Sequence, residues 1–153
     1  MNQELDQNLC ETFPILYQNR RGDPRVTLMC WGFECGDGWY NILYQLSRQI
    51  QGHLDWNNRR RETLLLNNPY NIPIPDQIPQ VTVTQVKQKY GTLRFYYDGG
   101  DELIRGMVTM AEAMTAVTCE TCGAPGRIRG NHWFYTACDD HTHPDDLPDQ
   151  EDE

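Results

Sequence analysis

Two pairs of metal-ligand residues near the C-terminal end constrain this chain more than any other feature. Cys119 and Cys122 are two residues apart, and Cys138 and His141 repeat that spacing after a gap of fifteen. A structural zinc site asks for four donors in a tetrahedron, mostly thiolate and imidazole, and two such pairs supply them. Gly123 follows Cys122 directly and lets the backbone fold back without a side-chain clash. Pro125-Gly126 continues the turn. Arg127-Ile-Arg129 and His132 to Thr136, on either side of Gly130-Asn131, read as two short strands around a tight turn. That hairpin delivers Cys138 and His141 to the far side of the ion. The expected unit is a zinc ribbon or knuckle over residues 118–143, with Cys119, Cys122, Cys138 and His141 as ligands. His143 is the alternative fourth ligand, and His132 is expected to be exposed in the hairpin turn.

A disulfide is the competing use of these cysteines. The opening residues Met1 to Asp6 are polar and acidic and carry no apolar signal run, so a reducing cytoplasm, and hence metal, is expected. The ion is expected to be structural. Four protein donors leave no open position for water, and the deaminase pattern lacks its His-x-Glu and the proline before the first cysteine. Cys10, Cys30 and Cys35 read as buried thiols.

At 153 residues the chain fits one domain, here 1–143, and no apolar run is long enough to span a membrane. The formal charge of −9 is unevenly spread, because residues 139–153 hold eight acidic side chains and no Lys or Arg. Residues 144–153 are therefore expected to be a disordered acidic tail on a nearly neutral body.

Periodicity predicts an α+β fold: a small antiparallel sheet packed with two main helices and closed by the zinc unit. Leu5, Leu9 and Phe13 predict a first helix that stops near Thr12, before Pro14. Phe13, Ile15, Leu16 and Tyr17 follow as an apolar hook. Residues 25–35 alternate weakly and predict a short strand. Asp37 is placed to cap a helix from Trp39 to about Trp56, whose apolar stripe is Trp39, Ile42, Leu43, Leu46, Ile50 and Leu54. Residues 57–79 read as a long connection, with Leu64 to Leu66 anchoring it and four prolines excluding regular structure after Pro69. Residues 80–97 predict a hairpin bulged near Gln85. Its outer face carries Lys87, Lys89, Arg94 and Tyr96. Asp101 is expected to cap a helix to Thr118, with Leu103, Met107, Met110, Met114 and Val117 as core filling and Ile104, Val108 and Ala111 widening the buried face.

Three blocks occur together here. They are Gly36-Asp-Gly-Trp39, Val86-Lys-Gln-Lys-Tyr-Gly-Thr-Leu-Arg-Phe-Tyr96, and Cys119-x2-Cys-Gly-Ala-Pro-Gly126 ending in Cys138-x2-His141. Jointly they resemble a group of small bacteriophage and prophage proteins, most of them uncharacterised. The resemblance covers roughly residues 30–56 and 80–141 and leaves out the proline-rich segment and the acidic end. It implies a phage origin and expression in a bacterial cytoplasm, and it brings no settled activity with it.

The function expected first is stoichiometric binding to a host protein, for example inhibition of a bacterial defence system. Its carriers would be exposed basic and aromatic residues held by the zinc scaffold: Lys87, Lys89, Arg94, Tyr96, Arg127, Arg129 and Trp133. The alternative is a nucleic-acid-binding zinc ribbon using the same cations. An enzyme is the least expected reading, since no phosphate loop, catalytic triad or nucleophile pattern is readable.

Overall fold

The computed structural model describes residues 1–146 and has an α+β architecture. The elements run α1 (Gln3–Thr12), β1 (Phe33–Glu34), α2 (Tyr40–Leu66), β2 (Thr82–Lys89), β3 (Thr92–Asp98), α3 (Glu102–Thr115), β4 (Arg127–Arg129) and β5 (Tyr135–Ala137). Strands β1, β2 and β3 form one sheet in that order, and β4 pairs with β5 in a second. The main sheet is mixed and not purely antiparallel as expected: Phe33 and Glu34 run parallel to Val86 and Lys87. A parallel pair needs a long crossover, and α2 with its return segment provides it.

Helix α1 starts as its sequence dictates, with Asn2 Oδ1 accepting the Leu5 N–H at 3.0 Å. The hook behind it buries Phe13, Leu16 and Tyr17 and exposes Ile15. Residues 25–32 do not form the expected strand, which shrinks to Phe33–Glu34; a 3-10 turn covers Met29–Trp31. Val26 and Trp31 are left exposed and Met29 fully buried. The alternation was real, but it described a turn that tucks in single side chains.

Helix α2 departs most from expectation. It runs on to Leu66, ten residues past Trp56, because the Asn57 to Glu62 stretch contains nothing that breaks a helix. Leu65 and Leu66 are exposed, so they do not anchor the following segment. Asn57 does: its Nδ2 donates to the Asp76 carbonyl and its Oδ1 accepts the Ile78 N–H, while Arg61 donates to the Pro75 carbonyl. The proline-rich return is thereby strapped back along the helix. Asp37 is not the cap of α2, since its carboxylate accepts the backbone N–H and the side-chain amide of Asn2 at 2.6 and 2.7 Å.

One apolar core joins these elements. Trp39, Leu43, Leu46, Ile50 and Leu54 meet Val81, Val83, Val86, Leu93 and Phe95 from the sheet and Ile104, Val108 and Ala111 from α3. The bulge falls between Val83 and Gln85, as the sequence predicts, and puts Val83 and Val86 on the same buried face. On α3 the core is only one side of the expected broad face: Ile104, Val108 and Ala111 are buried with Thr115, whereas Leu103, Met110, Met114 and Val117 are exposed. Asp101 does cap this helix, accepting the Ile104 N–H at 3.0 Å, and also meets His53 Nε2 at 2.8 Å.

Both sheet edges are closed. Strand β3 turns its Leu93 and Phe95 N–H groups toward α3, where Thr115 Oγ1 and Glu112 Oε1 accept them at 2.9 Å each. On the other side, the Leu16 carbonyl accepts the Val83 N–H and Asn19 donates to the Val83 carbonyl. Neither edge is open to strand addition. Replacing Thr115 by Val keeps the shape and leaves a buried Leu93 N–H unpaired. The expected loss is about 1–3 kcal/mol in urea unfolding.

Candidate metal centre

The chain leaves α3 and enters the first ligand pair within four residues. Its local geometry is a tight knuckle: Gly123 N donates to the Cys119 carbonyl at 2.9 Å, and Cys119 N donates to the Ala124 carbonyl at 2.7 Å. Gly123 has φ of 78°, a conformation that a side chain would strain. The hairpin β4–β5 then pairs Arg127 with Ala137 and Arg129 with Tyr135, which returns Cys138 beside the knuckle. A 3-10 turn over Asp139–His141 swings the imidazole inward.

Four ligand atoms meet as expected. The three thiol sulfurs and one imidazole nitrogen, from Cys119, Cys122, Cys138 and His141, all lie within 4.8 Å of one another. Cys122 Sγ is 3.8 Å from Cys138 Sγ, and His141 Nδ1 is 3.7 Å from Cys119 Sγ and 3.1 Å from Cys138 Sγ. Metal–sulfur bonds of about 2.3 Å and metal–nitrogen bonds of about 2.0–2.1 Å put tetrahedral neighbours roughly 3.6–3.8 Å apart. Two of the three distances match, and the third, at 3.1 Å, lengthens to match with a small imidazole shift. The group can therefore hold a metal ion. No disulfide joins the cysteines among the described residues.

The fourth position falls to His141, which resolves the choice left open by the spacing. His143 is instead held through its backbone, its N–H donating to the Tyr135 hydroxyl at 2.7 Å, and the same hydroxyl donates to Asp146 Oδ2 at 2.6 Å. Residues Pro144–Asp146 form a 3-10 turn. The expected tail 144–153 thus begins with this turn, joined to the hairpin through Tyr135 and Asp146; residues 147–153 lie outside the described residues.

The electrostatics suit a cation. Burial pushes the Cys119 thiol up, but N–H groups of Cys138, Cys122 and Thr121 outweigh it and bring the thiol down to about 6. Burial and the neighbouring Cys119 and Cys122 thiols push Cys138 the other way. Three thiols this close cannot all ionise without a positive charge between them, which a divalent ion supplies.

Residues outside the ligand set seat the knuckle, and their role was not readable from the ligand spacing. The Trp39 indole Nε1–H donates to the Thr118 carbonyl at 2.8 Å, next to the first ligand. Gly38 N donates to the Glu120 carbonyl at 2.8 Å, and Gly36 N donates to Glu120 Oε1 at 2.9 Å. A Cβ at Gly36 or Gly38 would overlap the Glu120 and Cys119 carbonyl oxygens. Burial pushes the Glu120 carboxyl up, against the pull of the Gly36 N–H. From the other side, Glu120 N donates to the Thr136 carbonyl at 2.8 Å, and Thr136 Oγ1 donates to the Gly91 carbonyl at 2.5 Å, at the tip of the β2–β3 hairpin. Gln88 Nε2 also reaches the Phe134 carbonyl at 2.6 Å. The three sequence blocks meet here.

The expected partner-binding residues separate into two groups. Lys87, Arg94 and Tyr96 come together on the outer face of the main sheet, with Lys87 Nζ 5.7 Å from the Tyr96 ring centre; Lys89 lies over Tyr90 instead. Arg127 and Arg129 both pair with Asp139, at 3.2 and 2.5 Å, and the Arg129 side chain is only 10% exposed. Arg129 also donates to the Ala137 carbonyl at 3.0 Å. It braces the hairpin and is not presented to a partner. Trp133 stands exposed in the β4–β5 turn, as does His132. Comparison with protein-family profiles, curated proteins and solved structures finds no match.

Two outcomes test the centre. Cys119→Ser is expected to lose the stoichiometric metal seen by native mass spectrometry and to melt at least about 10 °C lower, because binding energy at such a site is folding energy. His141→Ala should also lose metal, while His143→Ala should keep it.

Proposed function

We propose that this is a zinc-clasped accessory protein that acts by stoichiometric association with a host protein, of the kind that blocks a bacterial defence system. Zinc is the metal favoured by three thiolates and an imidazole at tetrahedral spacing. With all four positions taken by side chains, the ion would hold structure and offer no site to a substrate. The unpaired thiols suit a reducing bacterial cytoplasm, and no helix among the described residues is long and apolar enough to cross a membrane.

The observation that carries the reading is an apolar groove between α2 and α3. Its volume is about 380 Å³, and Ile42, Leu46, Met107, Met110, Ala111 and Met114 line it. Met110 is 65% and Met114 46% exposed, although the sequence pattern casts both as core. Flexible thioethers on an open helical surface adapt to a partner's side chains, and a groove between two helices suits a third amphipathic segment. The competing zinc-ribbon reading for nucleic acid loses weight because Asp139 pairs with both Arg127 and Arg129 and the Arg129 side chain is largely buried, which leaves Arg127 as the exposed one of the two.

Met110→Glu puts a charge in the groove without touching the core. In pull-downs from host lysate, the wild-type chain is expected to retain one protein at a one-to-one ratio, and the variant to lose it at least about tenfold while melting normally. A partner retained equally by both would place the contact elsewhere.

A further inference from the structure

The outer face of the main sheet carries a second surface that the groove reading does not use. Strand pairing sets Lys87 directly opposite Arg94, and Lys89 is the next residue outward on the same face. Like charges placed opposite each other across a sheet cost stability, so the pair calls for a compensating anion. Close compensation is lacking, since no ion pair joins Lys87, Lys89 or Arg94 to a carboxylate among the described residues. Glu34 lies beside Lys87 on β1, its Oε2 accepting the Gln85 amide at 3.1 Å, and one carboxylate offsets only part of the charge of three cations. Asp98 lies at the far end of β3, opposite Thr82.

Aromatic rings alternate with these cations. Tyr96 is 42% and Tyr90 68% exposed, and the Lys87 and Lys89 ammonium groups sit 5.7 and 5.4 Å from the two ring centres. Arg94 is held in place along its strand by its Nη1 donors to Thr92 Oγ1 and the Leu93 carbonyl, at 2.6 and 2.7 Å. Cations on alternate residues of a strand repeat every ~6.6–6.8 Å. A row of positive charges beside exposed rings, which the lysine ammonium groups uncover as they turn to phosphate, matches a ligand that alternates phosphates with flat bases. An acidic protein surface could meet the cations as well, and the experiment below separates the two ligands.

We propose that this face, centred on Lys87, Arg94 and Tyr96, binds single-stranded nucleic acid, with the cations on phosphates and the tyrosines stacked on bases. The acidic chain is no obstacle, because eight of its 22 acidic residues lie at or beyond Asp139. The site is independent of the α2–α3 groove.

The test is fluorescence anisotropy of the full metal-loaded chain with labelled oligothymidylate and oligouridylate of about 20 nucleotides, enough to span such a site. Micromolar binding is expected at 50 mM salt, with a log–log salt slope of about −2 for three cations on a single strand. Lys87→Gln with Arg94→Gln should weaken binding about tenfold or more and flatten the slope by about 1.4, with the melting temperature no lower than wild type. Tyr96→Leu should weaken binding and leave the slope alone, the signature of lost stacking. Met110→Glu should bind as wild type, so that failure of the groove reading leaves this result untouched. The proposal is overturned by no binding at about 100 µM protein, where even non-specific association registers. It is equally overturned if Tyr96→Leu has no effect, or if polyglutamate of equal charge competes as well as the oligonucleotide, which would make the face a docking patch for acidic protein.

Discussion

The fold depends on the contact between the first metal knuckle and the segment that opens α2. Trp39 is fully buried and holds the Thr118 carbonyl, Gly38 holds the Glu120 carbonyl, and Gly36 holds the Glu120 side chain. These bonds tie the end of α3 to the start of α2. Through Glu120, Thr136 and Gly91 the same knuckle reaches the β2–β3 hairpin. A bound ion would therefore act on more than its own loop. Structural metal binding contributes about 10–16 kcal/mol in small domains, as large as the whole net stability of about 5–15 kcal/mol of a typical protein. A chain this size could keep its core without metal; what the metal fixes is how the hairpin β4–β5 sits on that core.

Much of this was readable beforehand, for identifiable reasons. The ligand set followed from spacing, the bulge at Gln85 from the change of face between Val83 and Val86, and the cap at Asp101 from its place before an apolar period. Other features turn on tertiary contacts that a pattern does not carry. Asp37 has the residue type of a cap but is claimed by Asn2. The α3 stripe was read too wide, because the flanking methionine and leucine positions are as apolar as the true core face. Only the sheet behind α3, through Leu93 and Phe95, decides which face turns inward. The end of α2 was missed since asparagines and arginines suggest a loop while breaking no helix; Asn57 then proves to be the anchor of the proline strap. Arg127 and Arg129 read as partner-binding cations, and Asp139 pairs with both and draws Arg129 into the hairpin.

Glycines in the Gly36-Asp-Gly-Trp39 block read in sequence as turn residues. Their value lies in close approach, because the knuckle's carbonyls occupy the space a side chain would need. This also explains physically why the three blocks occur together in one chain. One supplies the ligands, one a glycine floor and an indole clamp, and one the hairpin tip that the far side leans on. The two surfaces left over, the methionine groove and the cation–tyrosine face, lie on α2–α3 and on β2–β3, the elements that the clasp holds in register.

Hydrogen exchange on the metal-loaded and chelator-stripped protein tests the central claim most directly. Removing the metal is predicted to strip protection from the Gly36 and Gly38 amides and from Glu120, while the amides of Leu43 to Leu54 in α2 stay slow. Unchanged protection at Gly36, Gly38 and Glu120 after verified metal loss would contradict it, since the knuckle would then be seated without its ion.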